Sequence, residues 1–193
     1  MLTFFSCLIR RLCGKCRLTI AAVHADPNLP RLPAARHGQQ HLQREPSAIA
    51  RLGHEVHLFC QDRSAQGPEG VTIHVPDIGR VLPVYVADRY EGFAALPCPE
   101  LDEAALGNYL DANVAAIRSV PPPDLALANH LVMGPVILAR GLEGRAPYAV
   151  KVHGSALEYT VRPHRERFLP YALEGIRGAS GVLVGSRHTA ESL

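Results

Sequence analysis

The sequence predicts an α/β fold: an open, doubly wound, mostly parallel sheet with helices on both faces. Three observations carry this expectation. From Asp124 to Leu193, apolar runs and helical stretches alternate as strand, helix, strand, helix, strand, helix, the pattern of parallel strands joined by crossover helices. The strands are continuously apolar and do not alternate, as expected of a sheet covered on both sides. Finally, His130, His153-Gly154-Ser155 and Ser186-Arg187 all fall just after strands, where open α/β sheets hold their ligands.

Each element follows from its residues. Ile49 to Leu52 ends a helix, and Gly53 suits the left-handed position after it. Glu55 to Cys60 reads as a strand, as do Val71 to Val75 and Val81 to Val86, with Pro83 making the last an edge strand at best. Leu101 to Ile117 is the clearest helix, with Leu106, Tyr109, Leu110, Val114 and Ile117 on one side, stopped by Pro121-Pro-Pro123. Asp124 to His130 is a short strand, Met133 to Leu142 a short helix, and Tyr148 to His153 the next strand. Pro163 marks a helix start and Gly178 its end, with Phe168, Leu169, Leu173 and Ile176 as the apolar side and Pro170 placed to kink it. Gly181 to Ser186 reads as a last buried strand, and Ser186 is placed to cap a helix beginning at Arg187.

The 193 residues suffice for one large or two small domains. A net charge of +2, with Lys and Arg spread along the chain, argues against a dedicated nucleic-acid surface, though not against a local anionic site. Five cysteines without regular spacing are no secreted disulfide framework. The apolar start Met1 to Ile9 precedes Arg10 and Arg11, the reverse of a secretory signal, and no run spans a bilayer. A cytoplasmic protein with no transmembrane segment is expected. The histidines lack zinc-ligand spacing and there is no D-x-D run, so no catalytic metal is expected.

The stretch Tyr148 to Ser155, "YAVKVHGS", ends an apolar strand in an imidazole that no core strand needs. On the residues alone, His153 is either an exposed strand cap or part of a site. His130 divides evenly between a satisfied half-buried histidine and a site residue. Ser186 reads first as a helix cap. Arg187 is either a solvated side chain or, at a helix N-terminus, a phosphate contact. Tyr85, Tyr90 and Phe93 either stack on a sugar or simply pack.

Gly53-His54-Glu55-Val56 with its strand, Pro123-Asp124 leading to His130, the strand ending in His153-Gly154, and Gly181-Val-Leu-Val-Gly-Ser186 together resemble the N-terminal domain of family-4 glycosyltransferases. These are two-domain GT-B enzymes with Rossmann-like domains that transfer a sugar from a nucleotide-activated donor with retention of anomeric configuration. The resemblance implies an acceptor-side domain over residues 18–193 after an extension at 1–17. The donor domain, with its Glu-x7-Glu motif, is then absent from this chain. It implies a nucleotide-sugar as donor substrate, no tightly bound cofactor, and a sugar, small molecule or lipid as acceptor. His153 would lie near the transferred sugar, where a neutral imidazole hydrogen-bonds a hydroxyl or supports charge developing at the reacting carbon. Gly154 would admit close backbone approach, with Ser155, His130, Ser186 and Arg187 bordering the same crevice.

One segment departs from the family pattern. Leu18 to His24 serves for the first strand and Asp26 to Pro30 for the start of the glycine loop, but residues 31–47 hold a single glycine, Gly38, and show no helical apolar face. They are expected to be poorly ordered. One hypothesis is that this segment is out of the true reading frame. Codons can be chosen for Arg36 to Ala48 that, read one nucleotide later, encode Gly-Met-Gly-Ser-Asn-Ile-Tyr-Ser-Ala-Ser-Leu-Ala. A genomic sequence incompatible with those codons sinks the idea.

The leading functional expectation is therefore a glycosyltransferase represented by its N-terminal domain. The alternative is a one-domain remnant that binds a ligand but transfers nothing. A dinucleotide-dependent oxidoreductase would need G-x-G-x-x-G after the first strand, which is missing, and Asp62 after the second strand is weak support alone.

Overall fold

The computed structural model describes residues 17–21, 46–61, 67, 69–85 and 93–193. Six parallel strands form one sheet: β1 (Arg17–Ala21), β2 (Glu55–Phe59), β3 (Val71–His74), β6 (Leu125–Asn129), β7 (Tyr148–Val152) and β8 (Gly181–Val184). Their order is β3-β2-β1-β6-β7-β8. The chain builds outward from β1 in one direction, then crosses to β6 and builds outward in the other. That reversal is the topological switch of a doubly wound sheet, as the apolar runs predict.

Alternate residues separate to the two faces. Val56, Leu58 and Leu125 pack with Ile49 on one side. Ala126, Ala128 and Val150 join the larger core on the other, beneath the helices α1 (Glu103–Arg118), α2 (Gly134–Leu142) and α3 (Arg165–Arg177). Asp102 caps α1 by accepting from the Ala105 N–H at 2.7 Å, which satisfies one of the donors a helix start leaves over. The predicted face of Leu106, Tyr109, Leu110, Val114 and Ile117 is buried, together with Asn113. Full burial of each of the larger side chains is worth about 1.5–3 kcal/mol.

Two glycines set the helix spacing. A Cβ on Gly141 would lie 2.7 Å from the Ile117 side chain, and one on Gly175 2.5 Å from Pro135 and 2.9 Å from the Val136 backbone nitrogen. Thus α2 sits against both α1 and α3 at distances that no larger residue permits.

Several expectations are corrected. The last strand is not buried: Gly181 is exposed and Val182 is 42% exposed, because β8 is the edge of the sheet and pairs only with β7. Leu173 is 41% exposed; the buried face of α3 runs through Phe168, Ala172 and Gly175, and Leu173 lies one residue around from it. No break occurs at Pro170, which sits inside the continuous α3. The irregularity comes earlier, as a widened π turn at Leu157–Val161. Gly178 ends α3 as expected but at φ −89°, not in the left-handed region. It is small because the Tyr148 hydroxyl would lie 2.8 Å from any Cβ.

Pro83 does fall on an edge, since β4 (Val81–Val84) and β5 (Ala94–Pro97) form a separate two-stranded parallel sheet. The strand β5 has no counterpart among the strands read from the sequence. Gly53 has φ +89°, as predicted. The expectation of weak order for residues 31–47 falls, up to residue 45, outside the described residues. Pro46 and Ser47 already belong to a helical turn at 46–50, with proline at a first-turn position that tolerates it.

Candidate functional site

The sheet switches direction between β1 and β6, so an open sheet of this kind holds ligands beyond the carboxyl ends of those two strands, and β7 runs beside β6 to the same end. Asn129 is the last residue of β6 and stands beside Lys151 of β7 in the parallel register. The next rung is the His130 N–H, donated to the Lys151 carbonyl at 2.8 Å. There the chain leaves the sheet abruptly: His130 has φ +68° and Met133 φ +62°. Such values are uncommon without glycine, and His130 is of a type that tolerates them better than most.

This turn stacks three rings. The Tyr85 and His130 centroids are 4.5 Å apart, those of His130 and His153 4.7 Å, each pair tilted by 41°. His130 is buried. The Tyr85 hydroxyl donates to the Val132 carbonyl at 2.6 Å, and burial holds its pKa well above the ordinary phenol value, with Cys98 and Tyr109 adding to the effect. Tyr85 is therefore a packing aromatic that supports His130. Phe93 is half-buried, and Tyr90 lies outside the described residues.

His153 follows β7 and is half-buried. Its Nε2 lies 3.1 Å from Asn129 Oδ1. An amide oxygen only accepts, so Nε2 carries the hydrogen. Gly154 and Ser155, also half-buried, begin the short turn Gly154–Ala156. A Cβ on Gly154 would meet nothing within 4 Å, so the space beside it is open.

The structure thus brings His130 and His153 into contact and sets Gly154 and Ser155 directly after them. Ser186 and Arg187 sit at the same end one strand further out, Val152 being level with Val184. The Ser186 hydroxyl accepts from the Thr189 N–H at 3.1 Å, capping α4 (Arg187–Ser192) as the sequence predicts. Arg187 is exposed. Sequence reasoning missed Asn129. The available signal was its position: with β6 and β7 in parallel register, a residue beside Lys151 shares a sheet face with His153.

Two other polar features lie elsewhere. His57 bridges Glu55 at 2.9 Å and His74 at 2.8 Å, joining β2 to β3. A cavity of about 960 Å³ opens at the amino-terminal end of the strands, lined by Arg17, Arg51, His54, Glu55, Glu69 and Asp124 among others. Its charges are mixed: the Arg17 guanidinium donates to Glu55, and the Arg17 backbone N–H donates to the Asp124 carboxylate. The positive-φ turn at His130 and Met133 lies away from this cavity, at the carboxyl end of the strands, and strained backbone of this kind clusters at functional sites.

The fold is that of an α/β domain built on a parallel sheet with a topological switch. Comparison sharpens this: the sequence matches the glycosyl transferase 4-like domain over residues 21–193, and the chain belongs to that family. A search of curated protein sequences returns no match. Among solved structures, the chain is similar to a sucrose-phosphate synthase from Thermosynechococcus elongatus, at 15% identity and a TM-score of 0.53. The alignment covers 91% of this chain and 43% of that protein, so the chain spans less than half the length of its structural relative. At that identity the likeness shows the fold. No helix among the described residues is long and apolar enough to cross a membrane.

Proposed function

We propose that the chain is the acceptor-side domain of a retaining, cytoplasmic glycosyltransferase. The donor is a nucleotide-sugar, the acceptor a sugar, small molecule or lipid, and the second domain that holds most of the donor lies outside these residues. The observation that carries this reading is His153, an imidazole in contact with Asn129 and His130 just past the carboxyl end of β7.

The chemistry follows from the ring. Neutral imidazole with hydrogen on Nε2 has its lone pair on Nδ1, which can accept from a sugar hydroxyl; the ring dipole also favours positive charge at a reacting anomeric carbon. Gly154 and Ser155 form the adjoining wall. Arg187, exposed at the same end of the sheet, is the group to meet donor phosphate, while the Ser186 hydroxyl serves the helix cap.

The test is incubation of the chain, and of the chain joined to a family donor domain, with labelled nucleotide-sugars and a panel of acceptors. Transfer that falls at least 100-fold in His153→Ala supports the reading. Ligand binding with no transfer in either form leaves a non-catalytic binding module. Transfer unaffected by His153→Ala contradicts the assigned role.

A further inference from the structure

We propose that Asn129 is a positioning residue that fixes the tautomer and ring plane of His153. The inference rests on reading His153 as the sugar-contacting group, but its physical basis is independent of any substrate. Contacts with Asn129 and His130 constrain the imidazole. Asn129 Oδ1 takes the Nε2 hydrogen at 3.1 Å across the β6–β7 boundary, which selects the nitrogen that carries the proton. His130, turned out of β6 by its left-handed backbone, lies against the ring with centroids 4.7 Å apart and limits its rotation. The ladder bond from the His130 N–H to the Lys151 carbonyl at 2.8 Å anchors both residues to the strand that delivers His153. A tautomer set by the partner of the other ring nitrogen is the usual way such a group is prepared for one role.

The experiment is imidazole nitrogen NMR of the labelled chain with Asn129→Asp and Asn129→Leu. The ionisable neighbours of His153 include His130 against its face and Lys151 two residues before it on β7, with Tyr85 beyond His130. These are the same in all three proteins. Asn129→Asp keeps the acceptor and adds a negative charge, so the His153 titration midpoint rises by about one pH unit or more. Asn129→Leu removes the acceptor, so the midpoint falls and the two nitrogens average between tautomers. His57, remote on β2, reports that each variant is folded. A His153 midpoint unmoved in Asn129→Asp, or a fixed Nε2–H tautomer surviving in Asn129→Leu, overturns the proposal. Where transfer is measurable, Asn129→Leu lowers kcat with little change in KM. Absence of transfer in the wild type bears on the glycosyltransferase reading and leaves the NMR result standing.

Discussion

Replacing Gly175 by alanine tests the helix packing that holds the site. In an ordinary helix interior this change is stabilising by about 0.8–1 kcal/mol, since glycine is the poorer helix former. Here the added Cβ would lie 2.5 Å from Pro135 Cβ and 2.9 Å from both the Pro135 carbonyl carbon and the Val136 nitrogen. Two of these atoms are backbone, so relief requires α2 and α3 to move apart, and overpacking of this kind costs about 1–3 kcal/mol. Rigid neighbours put the cost near the top of that range, leaving Gly175→Ala destabilised by about 2 kcal/mol. Gly107 is the internal control: it lies in α1, and a Cβ there would meet nothing within 4 Å. Gly107→Ala should gain about 0.8–1 kcal/mol, opening a gap of about 3 kcal/mol between two chemically identical changes. Urea unfolding followed by circular dichroism, with m held common, measures both. Equal shifts, or a stabilised Gly175→Ala, refute the close approach of α2 and α3.

Two further outcomes follow from buried polar groups. Tyr148→Phe removes the hydroxyl that donates to the Gly175 carbonyl at 2.7 Å; leaving that carbonyl unsatisfied should cost about 1–3 kcal/mol in the same unfolding assay. Burial pushes the Cys98 thiol from an ordinary value of 9.0 to about 12. For an acid with a raised folded pKa, the unfolded chain ionises first, so this stabilisation is whole below pH 9 and is lost as pH rises from 9 towards 12. Cys98→Ala should flatten that alkaline loss in a pH series of unfolding curves; an unchanged slope assigns it elsewhere.

Most of the parallel sheet is legible because it is written locally. Apolar runs mark β6 and β7, Val56, Leu58 and Phe59 mark β2, and the short polar residue Ser186 marks a cap that the structure contains. What is not legible depends on neighbours. Ala94–Pro97 has no β-branched residue and becomes a strand only beside Val81–Val84. Val182 belongs to an apolar run like those of the inner strands, and its exposure follows from edge position, a property of strand order. The histidine pair was visible as two strand ends, but the Asn129–His153 bond joins residues 24 apart in sequence and needs the register of two strands to be seen. The His57–His74 contact is of the same kind.

The most direct measurement is NMR mapping of nucleotide-sugar and sugar ligands onto the labelled chain. It needs no turnover and distinguishes the two ends of the sheet. Ligand-dependent shifts centred on Asn129, His130, His153 and Gly154, and abolished by His153→Ala, are the predicted result. Shifts confined to the opposite cavity around Arg17, Arg51 and Asp124, with the His153 ring unmoved, would contradict the placement of the site.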